Sequence, residues 1–349
     1  MNKFNRKYPY IIAEIGANHN GDIEIAKELI NEAKHCGCDA VKFQLWNKDT
    51  AHTNEYIKKL NKIKKTIDGA ELSSPILGLK NAEEQLEKFS FGRKEHVILR
   101  EYAYKKKIDF SSTCLTFADL DFLVKVKVDF LKIASQDLDH ILFIEHIAKK
   151  KLPTILSTGL GTFGEIDDAV RLFKKKDNLT LLHCISLYPP YDYEIHLNQM
   201  IMLKKLFNVN VGYSDHAIGT SISLAAAALG AKVIEKHFTL DKNLPGWDHY
   251  VSANPEEMKF ICKETKKITL ALGDSYHSLN GREINKKVSF RRSIISAVDI
   301  KKGQKISLKH LDFKRPAIGI SPNNYNIFIG RVAKKNIKRD TTLKISDFF

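Results

Sequence analysis

Between Ile11 and Leu272 the sequence repeats one pattern, a short apolar run followed by an amphipathic helical stretch, and that repetition restricts the chain to a parallel sheet built from β-α units. Eight strands are predicted: Ile11–Ile15, Ala40–Gln44, Asp109–Ser112, Phe130–Ala134, Thr154–Leu156, Thr180–Cys184, Val209–Gly212 and Lys232–Glu235. Helical periodicity lies between them, at Ile23–His35, Glu95–Lys107, Leu142–Ala148, Phe163–Lys174 and Ser221–Leu229. Eight such units in about 260 residues match a (β/α)8 barrel in number and length, and a doubly wound open sheet is the runner-up. The second β-α connection, Asn47–Gly92, is rich in Lys, Asn and Ser and reads as an active-site flap, because connections of that length are functional or disordered.

After Leu272 the helical rhythm stops, which divides the chain into a barrel over 1–275, a polar linker over 276–290 and a small β-rich lobe over 291–349. The lobe carries a weak internal repeat, in which Asp299–Ile306 returns as Asn336–Leu343. The formal net charge is +15, and residues 291–349 hold 14 Lys/Arg against 4 Asp/Glu, so the excess is local. A basic lobe suits nucleic acid, a solvated face, or a cover over a site for acidic substrates. The lobe has neither interleaved stacking aromatics nor a regular threonine array, which argues against nucleic-acid and ice binding. No run approaches the roughly 20 apolar residues of a membrane span, Met1–Tyr10 is polar and basic, and the five cysteines are sparse. A cytoplasmic protein with reduced thiols and no membrane partner is expected.

Barrel enzymes keep their chemistry at the C-terminal ends of the strands, so polar residues there carry the functional reading. Lys42 and Lys132 fall within otherwise covered strands, where a buried ammonium needs an anion or an acceptor. Ser135, Ser157, Ser186 and Ser214 follow strands four to seven, where hydroxyls and backbone N–H groups can converge on a phosphate. His216 and His237 end the neighbouring strands seven and eight, and two imidazoles at one level can share a metal ion. Two nitrogens with water suit Mn²⁺, Fe²⁺ or Zn²⁺ better than Mg²⁺. Glu14 and Asp248 stand at the pocket mouth as carboxylates able to accept sugar hydroxyls or move protons. Gly159-Leu-Gly161 is too short for a nucleotide fingerprint, and G-x-x-x-x-G-K-[ST] does not occur.

Taken together, Ala13-Glu-Ile-Gly-Ala-Asn-His19, Val41-Lys-Phe-Gln44, Lys132-Ile-Ala-Ser135, Leu156-Ser-Thr-Gly159, Leu182-His-Cys184 with Tyr188-Pro189, Gly212-Tyr-Ser-Asp-His216 and Glu235-Lys-His-Phe-Thr239 resemble the motifs of the sialic acid (N-acetylneuraminate) synthases and their pseudaminic and legionaminic acid relatives. The lobe, with Lys314-Arg-Pro316, is similar to the antifreeze-like (SAF) domain of that family. The resemblance implies a metal held by His216 and His237, Mn²⁺ first with Mg²⁺ or Co²⁺ as alternatives. It implies that Lys42, Lys132, Ser135, Ser157 and Ser214 hold phosphoenolpyruvate, with Ser186 in the place of a common asparagine. It further implies that Glu14, Gln44, Asp137, Tyr188 and Asp248 face the amino-sugar or the reacting centre, and that Arg315 crosses a domain-swapped homodimer interface. Asp137 in place of glutamate, Cys114 in place of proline, and Trp247 are departures that leave the sugar open. The expected reaction condenses phosphoenolpyruvate with N-acetylmannosamine or a related hexose. A Schiff-base aldolase with Lys42 or Lys132 as nucleophile is the alternative.

Overall fold

The computed structural model describes residues 3–60, 82–273, 276 and 279–349; part of the expected flap, the last two barrel positions and two linker positions lie outside them. The first unit, Met1–Gly273, holds eight parallel strands: β1 (Tyr10–Gly16), β2 (Ala40–Leu45), β3 (Asp109–Cys114), β4 (Leu131–Ile133), β5 (Thr154–Ser157), β6 (Leu179–Cys184), β7 (Asn210–Asp215) and β8 (Val233–His237). They pair in sequence order and β8 closes on β1, with Tyr10 opposite Val233 and Glu14 opposite His237, so the sheet is a closed barrel. The open-sheet alternative falls on that last pairing.

Alternation along each strand separates two cores. Inside, Tyr10, Ile12, Ala40, Phe130, Ile155, Leu182 and Val233 pack with Phe4 into a floor, and Phe4, Tyr10 and Phe130 meet edge to face at 5.1–6.1 Å. Outside, Ile11, Ala13, Val41, Phe43, Leu181 and Ile234 pack against the helices, burial of each side chain larger than alanine contributing about 1.5–3 kcal/mol. Gly212 is required by this packing, since a Cβ there would stand 2.7 Å from Leu182 Cδ2 and closer still to the Val233 carbonyl oxygen. The first helix, Ile23–Cys36, starts where the Asp22 side chain accepts from Glu24 N at 2.8 Å and stops at Gly37 in the left-handed region. No helix among the described residues is long and apolar enough to cross a membrane, and all five cysteines are free and buried.

The second unit spans Asp274–Phe349. Residues 281–290, expected as polar linker, form a helix, because Asn280 accepts from Glu283 N at 2.9 Å and the Glu283 carboxylate accepts back from Asn280 N. Beyond it β9 (Ser293–Ser296) pairs antiparallel with β10 (Leu311–Lys314). The internal repeat pairs with itself: Ile300 and Ile337 exchange both backbone hydrogen bonds at 2.8 Å, and Ile306 and Leu343 enter the same small core.

Candidate active site

Above the apolar floor the inward alternation turns polar. Glu14, Lys42, Gln44, Thr113, Lys132, Ser157, Cys184, Ser214, Glu235 and His237 come from the upper ends of the eight strands. With Ser135, Ser186, Tyr188 and His216 they line one cavity of about 350 Å³. The serines converge because Gly159 leaves room: a Cβ there would stand 2.7 Å from Ser135 Oγ and closer still to Ser186 Oγ.

Both strand lysines are compensated inside the barrel. Lys42 Nζ lies 2.6 Å from Glu14 Oε2 and donates to Thr113 Oγ1 at 3.1 Å. Lys132 Nζ donates to Glu235 Oε1 at 3.0 Å, which also accepts from Ser214 Oγ at 3.1 Å. Lys42 is 3.9 Å from the other Glu235 oxygen. Charge balance alone therefore does not demand an anion, contrary to the expectation from two isolated lysines. Burial raises the Glu14 carboxyl, with Lys42 pulling the other way, whereas Lys132 and Lys42 overcome the burial of Glu235 and hold it at about 2. The Glu14 Oε2 contact with Lys42 is an ion pair without hydrogen-bond geometry. That atom, Glu235 Oε2 and Ser157 Oγ are buried without hydrogen-bond partners, which a bound ligand or water could supply.

The two histidine rings stand 5.5 Å apart between centroids. His216 Nδ1 lies 2.7 Å from the Ile185 carbonyl oxygen, which makes Nδ1 the protonated nitrogen and leaves Nε2 with a free lone pair. Tyr188 stacks on that ring at 4.0 Å. His237 Nδ1 is buried without a hydrogen-bond partner, 3.6 Å from Asp248 Oδ2, and burial keeps the ring well below its ordinary pKa. Burial raises the Asp248 carboxyl to about 6. Two imidazoles, one with Nδ1 held on a backbone carbonyl and one with an orphaned nitrogen, fit a metal ion whose other positions are left to water and substrate. No group of three or more His, Cys, Asp or Glu able to hold a metal occurs among the described residues.

Gln44 lines the cavity, whereas Asp137 and Asp248 fall outside its lining and Arg315 lies in the second unit. Gln44 is already engaged, donating to Glu14 Oε1 at 2.9 Å and accepting from Trp46 Nε1 at 3.1 Å. Asp137 sits in the short turn after β4, outside the cavity lining, with Oδ2 buried and unpartnered and its carboxyl raised by burial to about 6. Arg315 belongs to the second unit, where its guanidinium lies 5.1 Å over the Phe290 ring. Sequence reasoning missed Glu235, Thr113 and Trp46. For Glu235 a signal existed, since it stands two residues before His237 and period-2 alternation puts both on the inner face.

Comparison with known proteins gives two family matches, the NeuB family over residues 29–277 and the SAF domain over residues 291–348. The chain is 40% identical to an uncharacterized protein of Methanocaldococcus jannaschii, over 97% of this chain and 94% of that one. It is 39% identical to an N,N'-diacetyllegionaminic acid synthase of Campylobacter jejuni, over 97% and 99%. Among solved structures it is similar to an N-acetylneuraminic acid synthetase from Leptospira borgpetersenii, with a TM-score of 0.69 and 35% identity, covering 80% of this chain and 90% of that one. A closed barrel with a polar upper end, matched over most of its length, and relatives similar from end to end leave one conclusion: this chain is a member of the NeuB family and carries an SAF domain behind its barrel.

Proposed function

We propose that the chain is a nonulosonic acid synthase, which condenses phosphoenolpyruvate with N-acetylmannosamine or a related amino-hexose and releases phosphate. The observation that carries this reading is one cavity that brings two buried ammonium groups and four serines together with a pair of imidazoles. Its legionaminic and sialic acid synthase relatives agree with it.

The enol ester is a weak nucleophile, so the aldehyde must be polarised and the donor held in line. Lys42, Lys132 and Ser135, Ser157, Ser186 and Ser214 bind the phosphate and carboxylate and are preset around the charge that develops. C3 of phosphoenolpyruvate gives its electron pair to the aldehyde carbon, and the aldehyde oxygen takes up a proton. Water adds to C2 and loses a proton, and the tetrahedral intermediate then breaks the C2–O bond to phosphate while the C2 hydroxyl gives up its proton, leaving a ketone and inorganic phosphate. Glu14, raised by burial and touching both Lys42 and Gln44, is placed to carry a proton, while Asp248 stands beside His237. His216 and His237 would hold a divalent ion, Mn²⁺ first with Mg²⁺ or Co²⁺ as alternatives, and such an ion supplies Lewis acidity toward an aldehyde oxygen.

Schiff-base chemistry is disfavoured at Lys42, because Glu14 and Glu235 outweigh burial and keep its ammonium protonated. Five free buried thiols suit a cytoplasmic setting. The same reading pairs two subunits so that Arg315 of one lobe serves the other's barrel; mixing Arg315→Ala with His216→Ala protein should then restore part of the activity, and no recovery after proven exchange contradicts the swap. The function is tested by incubation with phosphoenolpyruvate, Mn²⁺ and a panel of amino-hexoses, reading product masses with and without EDTA. A product that vanishes under EDTA is expected. A rate unchanged by chelation removes the metal from the account, and no product from any hexose overturns the synthase reading.

A further inference from the structure

One turn after β8 reaches both imidazoles of the cavity, by different routes. The turn, Asp248–Ser252, is itself fixed. The Asp248 carbonyl oxygen accepts from Ser252 N at 3.1 Å and from Ser252 Oγ at 2.6 Å. Asn18 Nδ2 donates to Ser252 Oγ at 2.8 Å, and His249 Nδ1 lies 2.7 Å from Thr239 Oγ1. From this platform Asp248 Oδ2 stands 3.6 Å from His237 Nδ1, while the Tyr250 hydroxyl donates to the Tyr188 carbonyl oxygen in the loop after β6. That second loop holds His216 twice. The Ile185 carbonyl oxygen is 2.7 Å from its Nδ1, and the Tyr188 ring stacks on it with centroids 4.0 Å and planes 23° apart. The same Tyr188 ring stands edge-on to His237 at 5.6 Å and 82°. The carbonyl limits rotation of the His216 ring within its plane, and the stacked phenol limits the tilt of the plane.

Resting on the metal site of the synthase reading, we propose that Tyr250 is a positioning residue for that site: its hydroxyl ties the loop after β6 to the turn after β8, keeps the Tyr188 ring stacked on His216, and so holds the two imidazoles where one divalent ion can take both. Tyr250 touches neither imidazole in this arrangement and acts through Tyr188. An imidazole whose plane and edge are already held loses less freedom when it ligates, which is how groups beyond the ligands raise metal affinity. Because Tyr250 is 41% exposed, water replaces part of a lost hydroxyl, and the effect of removing it is modest.

The test titrates metal-free full-length protein with Co²⁺, read by its visible absorption, and with Mn²⁺, read by calorimetry. Tyr250→Phe should weaken both ions by about threefold to tenfold, the loss of one hydrogen bond, and lower Tm by no more than about 4 °C. Tyr188→Ala should weaken them by about tenfold or more. In the Tyr188→Ala background Tyr250→Phe should have no further effect, because the ring it positions is gone. If Tyr188→Ala does not fold, Tyr188→Leu supplies the same background. In turnover Tyr250→Phe should lose rate at limiting Mn²⁺ and regain it at saturating Mn²⁺, with the phosphoenolpyruvate KM unmoved. Wild-type affinity in Tyr250→Phe, or an equal further loss on top of the Tyr188 substitution, overturns this proposal and leaves the synthase reading standing. A wild-type protein that binds neither ion removes the metal from that reading and this proposal with it.

Discussion

The barrel contains two buried lysine–carboxylate systems only one residue apart on β8, and they differ in completion. On the outer face Lys236 donates to the Ala217 carbonyl oxygen at 2.5 Å and lies 3.1 Å from Asp215, whose carboxylate also accepts from Ala217 N at 2.9 Å and Ser223 Oγ at 2.6 Å. None of its side-chain atoms is left unpartnered. On the inner face Lys42, Lys132, Glu14 and Glu235 are as deeply buried, yet Glu14 Oε2, Glu235 Oε2 and the neighbouring Ser157 Oγ lack hydrogen-bond partners and face a cavity. Burial of a charge pair thus does not mark a site; burial with unspent hydrogen-bonding capacity beside open volume does.

The largest expected effects separate the two systems. Lys132→Met or Lys42→Met also strands a buried carboxylate and costs stability, but in the folded fraction it should in addition raise the KM for phosphoenolpyruvate by about tenfold to a hundredfold, with a far smaller change for the sugar. Lys236→Met leaves Asp215 buried and uncompensated and should cost about 3–5 kcal/mol of stability, with the KM of the folded fraction unchanged. Denaturant melts and steady-state kinetics on the three variants check this, and equal effects on both substrates would erase the distinction.

The serines give a finer comparison. Ser157→Ala removes a hydroxyl that has no partner in the protein, so stability should move by less than about 0.5 kcal/mol while the KM for phosphoenolpyruvate rises. Ser223→Ala breaks the closed system and should cost about 1–3 kcal/mol with kinetics intact.

The smallest effect is a pH dependence at Asp137. Its folded pKa of about 6 lies above the unfolded value of 3.8, so the folded state binds the extra proton, stability falls as pH rises through that window, and the cost is complete above it. Asp137→Asn should raise Tm at pH 7.5 by no more than about 4 °C and leave it unchanged at pH 4. A gain of equal size at both pH values would assign the effect to packing instead.

Strand positions were legible because alternation over a two-sided core is a local signal: all eight strands fall where the apolar runs predicted, with ends shifted by no more than three residues. The histidines, lysines and serines at the strand ends follow from the same period, and the structure brings them to one cavity. Glu235 escaped because its role appears only when Lys42 and Lys132, from strands on other sides of the barrel, reach it across the interior. The stacking of Trp46 on Trp247 escaped for a similar reason, since the two are 201 positions apart and meet only through ring closure. The helix over 281–290 was hidden by its polar composition, although Asn280 and Glu283 spell its cap.

The most direct test of the account counts donor, acceptor and phosphate in one reaction. With phosphoenolpyruvate, Mn²⁺ and an amino-hexose, the account predicts one phosphate released for each acceptor consumed, a product heavier than the acceptor by one pyruvate unit, and no phosphate when the acceptor is left out. Phosphate release without acceptor, or use of free pyruvate with an imine trapped by borohydride on Lys42 or Lys132, would contradict it.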